Sequence, residues 1–457
     1  MSPRLLLRGP CATTPRRFLS HRVFAARRIS SPSAALVAPP SRRYEQVSVP
    51  CRSNGSIQID ILPSSTPSSP ILIYLPSGPV LPDHNTEEDA IISILGASSG
   101  ATIARINYRA SSQHQFPTPL HDVLFGYDWI QENLLVQDDS RPRRLARLGV
   151  CGELLGGSLA TLLALTECKL AHSRIGAAAV NNPILDWVFP DDMPAAGTVE
   201  LPEPLAPEET SFPADQDMMT WWVPQESEEP ATVKQKPRKR VPKAPPPTSW
   251  QLHGDNPVIP ALTLSAERDM LFRRPEDYLD RFASPIHFFR SPHATVIYPQ
   301  HEDLLASLSP TVQAVDLLDV ETRMSVEHFD TFGKSCMPAD LPRLVRCRAY
   351  ARIYPPAAHN LDLPLWHIAT GSQSPLMDQA SELSRLVRRS IARQTLRNRA
   401  GRIRYHDSAE KENYEAYANG RVALNTVEGV GLWSQWHDNP GWRLQVEQMG
   451  AWMKKSL

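Results

Sequence analysis

The sequence predicts an α/β protein, a mostly parallel sheet covered by helices on both faces and interrupted by two insertions. Short, largely apolar runs recur at 71–75, 102–106, 147–151 and 176–180, as in strands buried on both faces. Between them, segments 87–98, 119–134 and 156–170 place apolar residues at helical spacing. Regular alternation of the two kinds is the pattern of βαβ units.

The elements follow in order. Residues 44–62 alternate apolar and polar, with Val47, Val49, Ile57, Ile59 and Ile61 around Asn54-Gly55. That predicts a hairpin at an exposed sheet edge. A Pro/Ser linker fills 63–70. Ala90, Ile91, Ile94 and Leu95 then share one helix face, and Leu120, Val123, Leu124, Tyr127 and Ile130 another. Regularity ends near residue 190. The stretch to 247 is Pro-rich, acidic in its first half and basic around Lys234–Arg240. It lacks the apolar surface to offset ordering entropy and reads as a disordered insertion, with a short helix near 218–223.

The strand pattern is expected to resume at 261–266 and again at 349–354. A second insertion is expected at 284–345, with a helix around 301–308. A long helix over 376–397 puts Leu383, Leu386, Val387 and Ile391 on one face, and Arg385, Arg388, Arg389 and Arg393 on the other. A Trp-containing helix, 442–453, ends the chain. The expected organisation is a leader at 1–43, a first half at 44–189, the insertion at 190–250 and a second half at 251–457.

Composition narrows the function classes. A net charge of -1 over 457 residues gives no bulk attraction to nucleic acid or membrane, and no apolar run is long enough to span a bilayer. The six cysteines have no zinc spacing or CxxC pair and suit a reduced compartment. No Walker loop or dinucleotide fingerprint stands between a strand and a helix, so neither a metal nor a cofactor is expected. Residues 1–43 carry Arg4, Arg8, Arg16, Arg17, Arg22, Arg27, Arg28, Arg42 and Arg43, with no acidic residue before Glu45. An Arg- and Ser-rich, acid-free leader reads as a mitochondrial transit peptide to the matrix. A basic tail without an address has the same composition.

One segment stands out chemically. The strand ending at Cys151 runs into Gly152-Glu153-Leu154-Leu155-Gly156-Gly157-Ser158-Leu159-Ala160, which opens a helix. Small residues at that spacing let a sharp strand-to-helix turn close, the setting in which G-x-S-x-G exposes a nucleophilic serine. The segment resembles the G-D-S-A-G-G-N-L-A of hormone-sensitive-lipase-like esterases, members of the α/β-hydrolase fold. Further resemblances follow in order: Arg105–Arg109 with His114-Gln115-Phe116-Pro117, then Asp122 and Trp129, then Asn182–Trp187. The set covers about 44–188 and 259–455.

The resemblance implies carboxylic-ester hydrolysis on a small ester or acyl ligand. It implies Asp269, after 262–268, as the acid. It implies His359, after Tyr354-Pro355-Pro356, as the histidine. Asp269 suits a cap and His359 a loop equally well. The sequence departs from the family where chemistry is needed. Leu154 stands at the serine position and has no atom able to attack a carbonyl. The oxyanion loop, H-G-G-G in the family, is Pro76-Ser77-Gly78-Pro79, so Ser77 and Gly78 remain as candidate donors, and Pro79 has no N–H.

Three functions stay open. The first is a catalytically impaired scaffold acting as a binding or assembly protein. The second is an active hydrolase with a non-standard site on Asp269 and His359. The third is a component of a mitochondrial RNA–protein assembly, contacting a protein or RNA partner through Arg385, Arg388, Arg389 and Arg393.

Overall fold

The computed structural model describes residues 44–457 except 65, 67–68, 80–84, 136–147, 170–173, 193–246, 298–342, 357–359, 403, 435–438 and 440. The leader, the helices expected near 218–223 and 301–308, and His359 lie outside the described residues.

The strands of the main sheet are β1 (Glu45–Pro50), β2 (Ser56–Leu62), β3 (Ile71–Leu75), β4 (Thr102–Asn107), β5 (Leu148–Glu153) and β6 (Ile175–Asn181). Two more come late in the chain. Counting the small hairpin β7 (Ala294–Ile297) and β8 (Arg343–Arg346), they are β9 (Leu365–Gly371) and β10 (Val422–Val427). The eight-stranded order is β1-β2-β4-β3-β5-β6-β9-β10. Strand β2 runs antiparallel to β1 and β4, and every other pairing is parallel. The expected hairpin is present, with Gly55 at φ 81 in its turn and Val49 opposite Ile57.

The apolar runs are continuous because both faces are covered. Ile71, Ile73 and Leu75 of β3 point into one core with Val150 and Val180. That core is closed by α2 (Thr118–Asn133), α3 (Leu154–Thr166) and α7 (Met377–Ala400). Leu72 and Tyr74 point the other way, into a core closed by α1 (Asn85–Ser99) and α9 (Trp442–Ser456). Alternating side chains of one strand thus serve two cores.

Several expectations are corrected. The segment 261–266 is not a strand but part of α5 (Ala261–Leu271). Its Leu262 and Leu264 mimic alternation, yet Leu262 is 83% exposed. The buried residues are Leu264, Glu267, Arg268 and Leu271, the i, i+3, i+4, i+7 stripe of a helix. Residues 349–354 do not join the sheet. They pair locally, with Ser291 N–H donating to Tyr350 O at 2.8 Å and Arg352 N–H to Phe289 O at 2.8 Å.

Of the second insertion expected at 284–345, residues 284–297 and 343–345 are described. Ser284, Ile286 and His287 are buried in the body, and β7 pairs with β8. Two sheet strands escaped the sequence pattern. In β9 the run is broken by His367, Thr370 and Gly371, and β10 is an edge strand with Asn425 and Thr426 exposed. The remaining helices are α4 (Ser249–His253), α6 (Pro275–Leu279) and α8 (Ser408–Arg421).

The arginines of α7 are not a solvated face. Arg385 is exposed, but Arg388, Arg389 and Arg393 are half-buried. Arg388 donates to Val422 O at 3.0 Å.

Candidate functional site

In the sheet order, β3 is followed in sequence by β4 on one side and β5 on the other. The chain thus reverses direction across the sheet at β3 and β5. The crevice outside their carboxyl ends is where open α/β sheets hold ligands. It is bordered by the turn after β5 and by the loop 76–79 after β3.

The turn after β5 keeps the geometry of a nucleophile elbow. Leu154 has φ 51, a left-handed conformation that costs a side chain of this kind roughly 1–2 kcal/mol. Its neighbours explain how the turn closes. A Cβ on Gly156 would lie 2.1 Å from Pro76 O and 2.4 Å from Leu75 O. One on Gly152 would lie 2.4 Å from Gly156 O. Both approaches are to backbone, which cannot give way. We expect Gly156→Ala to cost about 3 kcal/mol, read as a lower urea midpoint with an unchanged slope; a shift under a third of that would show that the turn can relax.

The geometry is retained, and the residue at its apex is an alkyl side chain. Leu154 is 0% exposed and belongs to the core. Across from it, the loop 76–79 packs inward. Ser77 is buried, and its N–H points to Glu88 Oε1 at 3.4 Å. Gly78 has φ 88, and a Cβ there would meet Leu155 Cβ at 3.0 Å. Tyr108, just past β4, donates its hydroxyl to Pro76 O at 2.7 Å. Cys151 is buried on the strand, and burial pushes its thiol far above the ordinary range, so it is an inert packing residue.

Of the sequence-predicted partners, only Asp269 falls among the described residues. Asp269 lies on α5 rather than at a strand end, with its side chain 70% exposed and paired to Arg268 at 3.0 Å. In this fold the acid and histidine follow the nucleophile in chain order, carried by later strands. The loop after β9, 372–376, contains Ser372, Gln373, Ser374, Pro375 and Leu376. None of these is a carboxylate or an imidazole. The described part of the loop after β10, 428–434, contains no histidine.

That second loop has another task. Glu153, fully buried beside the elbow, accepts from Trp433 N–H at 2.6 Å, from Ser434 Oγ at 2.7 Å and Ser434 N–H at 3.3 Å, and from Asn181 Nδ2 at 2.7 Å. Asn181 also donates to Gly431 O at 2.8 Å, and Asn182 to Val430 O at 3.0 Å. The loop is therefore clamped onto the elbow by one carboxylate and two asparagines. Burial pushes the Glu153 carboxyl up to about 7, against the pull of these hydrogen bonds.

A second buried network lies beyond the ends of β6 and β9. Asp186 accepts from Arg290 Nη2 at 2.8 Å, with His293 at 3.4 Å and His287 at 3.8 Å. Arg290 also binds Glu382 at 3.0 Å. The network lines a cavity of about 310 Å³ with Trp250, Phe289, Arg385 and Arg389. Among the described residues, no cluster of His, Cys, Asp and Glu is placed to hold a metal. No described helix is long and apolar enough to cross a membrane.

Residues 73–286 match the family described as alpha/beta hydrolase fold. The chain has an α/β-hydrolase fold. Among solved structures, it is similar to a hyperthermophilic esterase from Pyrobaculum calidifontis, at 14% identity and a TM-score of 0.50, over 91% of this chain and 86% of that one. It is also similar to carboxyl esterase 2 from Tuber melanosporum, at 13% identity and a TM-score of 0.50, over 93% and 89%. At such identity the likeness is one of fold. A stretch of 93 residues is 32% identical to the ethyl acetate hydrolase of Pseudomonas putida and spans 20% of this chain and 28% of that enzyme.

The sequence reading missed Glu153, Asn181, Asn182 and Ser434 as a set. The signal was a carboxylate inside an apolar turn and an Asn-Asn pair at a strand end.

Proposed function

We propose that this α/β-hydrolase-fold protein binds a ligand or partner without serine-type ester hydrolysis. The observation that carries this reading is Leu154, fully buried at the elbow where the fold exposes its nucleophile. Without a hydroxyl or thiol there, no acyl-enzyme forms. The two loops that should supply acid and base hold Ser374 and the clamped segment 428–434.

The test is labelling with a fluorophosphonate and turnover of short p-nitrophenyl esters. We expect neither from the natural chain, and none from Leu154→Ser, since the described residues of the two loops, 372–376 and 428–434, offer the restored hydroxyl no imidazole or carboxylate except Glu428. Covalent label on the natural chain would overturn the proposal. Turnover in Leu154→Ser alone would mean that the acid and histidine survive elsewhere. The Arg-rich leader supports a mitochondrial matrix location, tested by import of a 1–43 fusion into isolated mitochondria with loss of the leader.

A further inference from the structure

The arginines of α7 divide into two groups. Arg388 turns to the sheet edge and donates to Val422 O. Arg385 and Arg389 instead line the cavity of about 310 Å³ beside the Asp186 network. They stand four positions apart on the helix, so both leave it on one face, and like charges at that spacing repel.

The carboxylates on the same wall are engaged elsewhere. Glu382, one turn before Arg385, accepts from Arg290 Nε at 3.0 Å. Asp378, in the first turn of α7, accepts from Ser249 N–H at 2.6 Å. Asp186 accepts from Arg290 Nη2 at 2.8 Å with one oxygen and from Val188 N–H at 3.0 Å with the other. Arg385 is exposed and has no acidic partner among the described residues.

His293 lines the same cavity. Arg290 Nη1 stands 3.1 Å from its Nδ1, and a guanidinium can only donate. Nδ1 is therefore the acceptor, and Nε2 carries the proton as a further donor. Val188, Phe289 and Leu386 supply an apolar part of the wall. The volume is at the small end of ligand pockets, which run from roughly 300 to 1,000 Å³.

We propose that this cavity binds a small organic anion, its oxyanion bridging the guanidiniums of Arg385 and Arg389 and its apolar body lying against Phe289 and Leu386. A carboxylate and a phosphate monoester share the chemistry required: each accepts charge-assisted hydrogen bonds from planar guanidinium forks. A nucleic acid strand fits less well, because base stacking wants an open ring and Phe289 is 2% exposed. The site is independent of the non-hydrolytic reading, since no residue of the loop 76–79 or of the turn 152–157 lines the cavity.

The test is calorimetric titration of the full chain with benzoate, phenyl phosphate and benzamidine, a cation of nearly the same shape as benzoate. The natural chain is expected to bind at least one of the anions and to reject benzamidine, and the tighter anion identifies the head group. Arg385→Gln is expected to bind that anion at least about tenfold more weakly. Arg385→Lys should fall between the two, because lysine keeps the charge and loses the fork. Arg388→Gln, outside the cavity, should bind as the natural chain does. Arg385→Gln should also melt with the natural chain, as an exposed substitution does, so that lost binding is not lost fold. No binding of either anion, equal affinity in Arg385→Gln, a lower melting temperature of that variant, or a preference for benzamidine would each overturn the proposal. So would binding of an oligouridylate that Arg385→Gln and Arg388→Gln weaken equally, which would return the whole arginine row to nucleic acid.

Discussion

Glu153→Ala is expected to lower stability by about 3–5 kcal/mol at pH 8, and Glu153→Gln by about 1 kcal/mol. Alanine leaves the Trp433 N–H and the Ser434 N–H and hydroxyl, which the carboxylate now satisfies, without a buried acceptor. Glutamine keeps one oxygen for Trp433 and Asn181, and its amide can donate to Ser434 Oγ. The pH dependence separates the natural chain from both variants. The carboxyl of Glu153 is raised from 4.5 to about 7 in the fold. The folded chain therefore holds this proton more tightly than the unfolded chain does. The stability it contributes is fully present below pH 4.5, and is lost as pH rises to about 7. At about 1.36 kcal/mol per pH unit the loss sums to roughly 3 kcal/mol. Glutamine has no such dependence. The advantage of the natural chain over Glu153→Gln should shrink as pH rises from 5 to 8, measured by urea unfolding at each pH. A constant difference would show that Glu153 stays ionised throughout.

This clamp bears on what sequence can reveal. The parallel sheet was legible because β3, β5 and β6 are buried on both faces, and such strands show continuous apolar runs. The elbow was legible because its glycines are required by backbone contacts, and Gly156 has Pro76 O and Leu75 O against it whatever the chemistry. That a leucine stands at the turn's apex was legible in a single letter, Leu154. The element that carries Asp269 was not, and His359 lies outside the described residues. Asp269 was assigned to a strand end because Leu262 and Leu264 imitate a period of two, while the helical stripe includes Glu267 and Arg268, charged residues that a hydrophobic pattern does not count. Strand β9 was hidden by His367, buried and bonded to Asn425 at 2.8 Å. Polar residues buried with specific partners defeat pattern reading, since their partners lie far away in the chain. Asn181 and Gly431 are 250 positions apart.

The same reasoning explains how the elbow closes with a leucine at its apex. Leu154 is held in a left-handed conformation at a cost of roughly 1–2 kcal/mol. Its complete burial recovers about 1.5–3 kcal/mol. At this turn the leucine fills the core while Glu153 holds the loop after β10. Leu154→Ser is expected to lose that burial.

The Asp186–Arg290 network is the other place where a single change should be severe. Arg290→Met is expected to cost about 3–5 kcal/mol, the typical result of removing one partner of a buried pair. Arg290 uses Nε for Glu382 and Nη2 for Asp186. Its loss leaves two carboxylates facing a buried space with His293 and His287 as the nearest compensation. The double variant Asp186→Asn, Arg290→Met should recover part of the loss, because no uncompensated charge remains at Asp186. Acid should expose the same network. The two histidines and Arg290 hold the Asp186 carboxyl well below its ordinary range, while burial lowers His287 to about 3. Stability from Asp186 is present above the ordinary carboxylate range, and stability from a neutral His287 above 6.5. Both are lost as pH falls, opposite in sign to Glu153. Below pH 6 the melting temperature of the natural chain should therefore fall, and that of the double variant should fall less. If the two fall in parallel, the network does not govern acid stability and Arg290 is held by Glu382 alone.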